Sequence, residues 1–80
     1  MFYIYILQSL TDNSYYVGCT ENTSRRISEH NSGKVRSTKT RQPWSLRYTE
    51  KYNTLSEARS RENQIKRWKS RAAIERLLNK

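Results

Sequence analysis

The chain opens on an unbroken apolar run, and the apolar positions near its end recur with a helical period. Phe2-Tyr3-Ile4-Tyr5-Ile6-Leu7 is aromatic and β-branched and predicts a strand. Residues 8–14 hold Ser, Thr, Asp and Asn, which is turn chemistry, and Tyr15 to Thr20 predicts a second strand, so the opening is expected to be a β-hairpin. Alternation puts Ile4 and Ile6 on one face of the first strand and Tyr3 and Tyr5 on the other. Tyr5 and Tyr16 then share a face if the register allows it.

A short helix follows, capped by Asn22 or Thr23 and stopped at Asn31-Ser32-Gly33, with Gly33 suited to a left-handed helix end. Arg26 and His30 lie four apart on it and project from one side. Residues 34–43 are expected to form a loop, rich in Lys, Arg, Ser and Thr. Trp44 to Tyr52 predicts a third strand with Leu46, Tyr48 and Tyr52 in phase. Thr54-Leu55-Ser56-Glu57 has the form of a capping box and opens a helix to about Trp68. Ser70 caps a last helix striped by Ala73, Ile74, Leu77 and Leu78. The predicted fold is α+β, a small three-stranded antiparallel sheet flanked by helices in the order ββαβαα. It forms one domain over residues 1–80, with Trp44 and Trp68 in its core.

Charge adds a function class to this frame. Sixteen Lys and Arg against seven acids give a net charge of +9. Residues 1–20 carry one acid and no base, whereas 51–80 carry nine bases and three acids. A neutral sheet bearing basic surface attracts polyanions, and nucleic acid is the expected partner. No apolar run is long enough to span a membrane, and the helices lack the apolar face of a membrane-surface helix. A lone Cys19 excludes an internal disulfide, is expected to be a buried strand residue, and suits a cytoplasmic location.

One residue conflicts with the packing pattern. The helix after Thr54 places Leu55, Ala58, Glu62 and Ile65 at the spacing of a single face, so Glu62 is expected within the buried stripe. A carboxylate there is stable only if protonated, ion-paired or bound to metal. A structural salt bridge is one reading. The other is a magnesium site, which needs only one or two carboxylates when waters and phosphate oxygens complete the shell. One Cys and one His do not make a zinc cage, and two glycines, Gly18 and Gly33, make no phosphate-binding loop.

Taken together these residues resemble the GIY-YIG nuclease superfamily, particularly its small stand-alone bacterial members. Tyr3-Ile4-Tyr5 stands at the first signature tripeptide and Tyr16-Val17-Gly18 at the second. Arg26 follows ten residues after Tyr16, His30 lies one turn further, and Ala58-Arg59-Ser60-Arg61-Glu62 followed by Ile65-Lys66 matches the segment with the metal-binding glutamate. The first tripeptide departs from the pattern in having Tyr3 in place of glycine. Some members also carry a further asparagine after the glutamate, to which no position is assigned here.

The resemblance implies a metal-dependent endonuclease that hydrolyses DNA, ahead of RNA, with branched or damaged DNA as a candidate substrate. It also implies roles. Glu62 would hold one divalent ion, Mg2+ or Mn2+, and Arg26 would stabilise charge on phosphorus. Tyr5 would take a proton from the attacking water with help from His30, and Tyr16 would position the water or phosphate. Nearby positive charge is expected to lower the Tyr5 phenol, so activity is expected to rise with pH. Arg25, Lys66 and the loop cations Lys34, Arg36, Lys39 and Arg41 are the expected phosphate contacts. Singly, each residue also has an ordinary reading: tyrosines pack in sheets, Arg25 and Glu29 form an i, i+4 pair, and Gly18 marks a bend or a close approach. Two other functions compete with the nuclease: a non-catalytic nucleic-acid-binding module of the same fold, and a domain whose basic face meets an acidic protein.

Overall fold

Strand β1 (Phe2–Ser9) is the middle strand of a three-stranded antiparallel sheet ordered β2-β1-β3, and this computed structural model describes residues 1–79. The apolar run of β1 needs cover on both faces, and its flanking strands β2 (Tyr15–Thr20) and β3 (Trp44–Tyr52) leave it no free edge. Ile4 and Ile6 point to one side, where α2 (Leu55–Arg67) and α3 (Arg71–Leu78) bring Ala58, Ile65 and Leu77 against them and Val17. Tyr5 and Leu7 point to the other, where Trp44, Tyr16 and Ile27 of α1 (Thr23–Asn31) pack on them. The order ββαβαα and the α+β class are those the periodicities predict.

The caps explain the helix boundaries. Asn22 accepts from the backbone N–H of Arg25, Thr54 from Glu57 and Ser70 from Ala73, each satisfying a donor the first turn cannot. The Thr54 box closes through the side chains, the Thr54 hydroxyl donating to Glu57 Oε1 at 3.0 Å. Gly33 ends α1 at φ +80°.

Three expectations change. The pairing of β1 with β3 shifts between Ile6 and Leu7, so Tyr48 lies opposite Ile6 but Leu46 opposite Leu7. That one extra residue turns Leu46 to the α1 side, where it is exposed, while Tyr48 and Tyr52 pack towards α2 and α3. Cys19 is half-buried, because β2 is an edge strand with helix over only part of its length. Trp44 is core as expected, whereas Trp68 is only partly covered and carries Arg61 5.5 Å above its ring.

The segment between α1 and β3 is built, not merely solvated. A 3-10 turn at Lys39–Arg41 folds back on the hairpin, with the Ser9 hydroxyl donating to Arg41 O at 2.6 Å and Leu10 N–H to Pro43 O at 2.9 Å. The Asn31 amide brackets the backbone of Trp44, and Trp44 Nε1 donates to Thr38 O at 3.0 Å. These bonds carry Thr38 inward until it is almost inaccessible, at 1% exposure.

Candidate active site

The register decides what the two tyrosine motifs do. Tyr5 lies opposite Gly18 and Leu7 opposite Tyr16, so Tyr5 and Tyr16 are diagonal neighbours on one face, with ring centroids 6.4 Å apart. The Tyr5 phenol lies directly over Gly18. A Cβ on Gly18 would run into its hydroxyl and ring, so glycine there is the vacancy the phenol occupies. Tyr5 is 1% exposed and its ring wall faces a cleft; Tyr16 is more open.

Behind Tyr5 runs a buried hydrogen-bond chain. Tyr5 Oη is 3.0 Å from His30 Nε2, and His30 Nδ1 is 2.7 Å from Thr38 Oγ1. The Thr38 hydroxyl donates to Val35 O at 3.3 Å, which leaves its oxygen to accept from His30 Nδ1–H. Nε2 is then the acceptor and Tyr5 the donor. His30 is fully buried, and burial, followed by the charge of Arg26, lowers its pKa, with Glu29 opposing. The imidazole is thus neutral near pH 7.

The protein's own groups, taken together, raise the Tyr5 phenol. Burial pushes it up to about 12, against the pull of the Arg26 guanidinium beside it, while Tyr16 and Glu62 push the same way as burial. Desolvation of a phenolate on a strand with both faces covered outweighs one half-exposed cation.

A cleft of about 380 Å³ crosses the free edge of β2. Tyr5, Tyr16 and Arg26 line it from the α1 side, and Glu62, Arg59 and Asn63 from α2. Arg26 is held by Glu29, Nη1 to Oε1 at 2.9 Å, a closer contact than the 4.0 Å between Arg25 and the same carboxylate. Glu62 is not inside the apolar stripe. It sits at the rim of that stripe with its side chain 17% exposed, paired with the half-exposed Lys66 at 2.8 Å. An i, i+4 pair of this kind contributes only about 0.3–0.5 kcal/mol, so it can open for a better partner.

The donor set fits one kind of metal. No group of three or more His, Cys, Asp or Glu comes together among the described residues. Among the described residues Glu62 is the one carboxylate lining the cleft, which suits a hydrated Mg2+ or Mn2+ that takes its other ligands from waters and phosphate, and does not suit zinc.

The structure therefore brings together Tyr5, Tyr16, Arg26 and Glu62, with His30 one hydrogen bond behind. The other predicted phosphate contacts are spread out. Lys34, Arg36, Lys39 and Arg41 do not line the cleft, Arg41 lying 3.8 Å from Asp12 at the hairpin turn, while Arg25 is exposed on α1. Arg59, Asn63 and Thr38 were not singled out from the sequence. Helical spacing could have found Arg59, three residues before Glu62 on the same face, and Asn63 beside it. Thr38 gave no signal, because only the loop's return onto Trp44 buries it.

A small α+β fold with paired phenols, a guanidinium and one carboxylate across a sheet edge is an arrangement suited to phosphodiester chemistry. The chain belongs to the GIY-YIG catalytic domain family, whose profile matches residues 1–76. This is a family of nucleases that act on DNA and are generally dependent on divalent metal. The chain is 41% identical to a UPF0213 protein of Halobacterium salinarum over 78 residues, covering 96% of this chain and 99% of the relative. It is 48% identical to a UPF0213 protein of Staphylococcus haemolyticus over 65 residues, covering 80% and 78%. The solution NMR structure of a UPF0213 protein from Bacillus halodurans superimposes with a TM-score of 0.62 at 37% identity, over 99% of this chain and 84% of that one.

Proposed function

We propose that this protein is a metal-dependent endonuclease that hydrolyses DNA phosphodiester bonds, with branched or damaged DNA as its substrate. The observation that carries this reading is the cleft in which Tyr5, Tyr16, Arg26 and Glu62 meet from four separate elements. A non-catalytic binding module has no use for a carboxylate turned towards the site where phosphate would lie.

Glu62 would hold one divalent ion, whose chemistry when bound is to polarise the scissile phosphate and steady the departing oxygen. Arg26, locked by Glu29, presents a fixed forked cation to the charge that grows on the phosphoryl oxygens. Tyr16, at the open side of the phenol pair, orients the water. Tyr5 takes a proton from that water as its own proton passes to His30 Nε2. The water oxygen bonds to phosphorus, the ester P–O bond breaks, and the leaving oxygen is protonated from solvent. With its pKa pushed up to about 12 the Tyr5 phenol stays protonated near neutral pH and is a poor base alone, and the neutral histidine at 3.0 Å gives its proton a place to go. Localisation in the cytoplasm accords with the half-buried free thiol of Cys19, and among the described residues no helix is long and apolar enough to cross a membrane.

The test is cleavage of plasmid and of labelled branched DNA, with magnesium and with chelator. Glu62→Gln and Arg26→Ala are each expected to slow cleavage by at least about 100-fold, the scale of losing one transition-state contact. Nicking that survives in both variants, or is indifferent to chelator, rules the proposal out. Retention of DNA without cleavage under any metal would favour the binding module.

A further inference from the structure

Beside the cleft, on the other side of Tyr16, lies a second depression of about 420 Å³ between β2 and the corner where α2 turns into α3. Its size is at the lower end for small-ligand sites. Val17, Ile65 and Ile74 supply an apolar floor, and Tyr16 is a wall shared with the cleft. The rim carries Lys66, Lys69 and Arg71. Lys66 also links the two sites, since its Nζ is bonded to Glu62.

We infer that this groove binds an unstacked nucleobase of the substrate, with Lys69 and Lys66 on the adjoining phosphate. The inference rests on the nucleic-acid reading above and adds the substrate class to it. An apolar floor ringed by cations matches a base attached to a phosphate. A neutral apolar ligand would not need the rim, and a phosphate alone would not need the floor. The groove and the cleft share Tyr16 as a lining residue, and Lys66 at the groove's rim reaches Glu62 in the cleft, so one strand passing Tyr16 would meet both. In a duplex each base face is covered by its neighbours, and extrusion costs a few kcal/mol unless the base is already unpaired. The groove thus favours single strands, flaps and frayed ends over intact duplex. Arg71, 4.7 Å over the Tyr15 ring and bonded to Asn13 O, is held in place as the outer wall.

Binding can be measured without cleavage, using Glu62→Gln protein in chelator and fluorescent oligonucleotides of equal length. The single strand is expected to bind at least about fivefold tighter than the blunt duplex, the low end for burying one base face. Ile74→Gln should abolish that preference while leaving duplex affinity in place. Lys69→Glu, at an exposed position outside the core, should lower single-strand affinity more than duplex affinity. Equal affinity for the two forms, or equal losses in both variants, overturns the inference. So does self-association in sedimentation that Ile74→Gln abolishes, because the groove would then belong to a second copy. A groove-dependent single-strand preference in a wild-type protein that cuts nothing would keep this inference and remove the nuclease. Metal-dependent cutting unaffected by Ile74→Gln and Lys69→Glu would do the reverse.

Discussion

The Tyr5 phenol occupies the space that Gly18 leaves, and the same burial that holds it there keeps it protonated. Its partner His30 depends in turn on Thr38, a residue with no chemistry of its own. Thr38→Val removes the acceptor for Nδ1–H and leaves a buried donor unmet, so stability is expected to fall by about 1–3 kcal/mol. Nitrogen NMR shifts of His30 should show the proton leaving Nδ1, and cleavage should slow about tenfold, a part of what general-base assistance supplies. Thr38→Ser should restore both. An unchanged tautomer in Thr38→Val would refute the orientation.

The pH profile is a second prediction at this scale. Since His30 must be neutral and burial lowers its pKa, cleavage should be flat through neutrality and fall on the acid side, below the ordinary histidine value of about 6.5. A rate that climbs steadily into the alkaline range would instead assign the work to a free Tyr5 phenolate. Folding follows the same groups. Lowered in the native state, His30 destabilises the fold only as pH drops below that ordinary value. Tyr5, raised to about 12, does so only above the ordinary phenol value of about 10.

Between elements, Glu50 is the clamp that seats α2 on the sheet. It accepts from the hydroxyls of Tyr48 and Tyr52 and from Arg61 Nε and Nη2 at 2.9 and 3.1 Å. Burial raises its pKa, but the bonds from Arg61 and the tyrosines outweigh this and leave it lowered; Tyr52 is pushed up to about 12 by burial and by the same carboxylate. A lowered carboxyl contributes stability above its ordinary value of about 4.3, and that contribution is lost as pH falls through its native value. Arg61→Met should therefore destabilise by about 1–3 kcal/mol near neutrality, and the loss should shrink in acid. Thermal melts from pH 3 to 7 (an interval of about four units) check it; equal losses across the range would mean that Arg61 matters only through its packing on Trp68. Because α2 also carries Glu62 and Arg59, the clamp sets where the far wall of the cleft stands.

At the level of the whole molecule, a charge of +9 on 80 residues dominates encounter with DNA. A domain that neutralises about four phosphates loses roughly 100-fold in affinity between about 50 and 200 mM salt. Titrations of duplex binding across that range should show it. Affinity that barely responds to salt would mean that the basic surface serves another partner.

What the sequence determined by itself was everything that depends on local spacing. The strands, the helix caps and the conflict of Glu62 with its apolar neighbours could be read without coordinates, because each follows from residues a few positions apart, whereas the shared face of Tyr5 and Tyr16 waited on the register. The family followed from the order of those same residues. The tertiary structure alone decided the rest. One extra residue in β3 turned Leu46 away from Tyr48, and the loop's return onto Trp44 buried Thr38 against His30. Covering both faces of β1 raised Tyr5 against the pull of Arg26 beside it. Burial and long-range hydrogen bonding belong to the packed chain, and no window of sequence contains them.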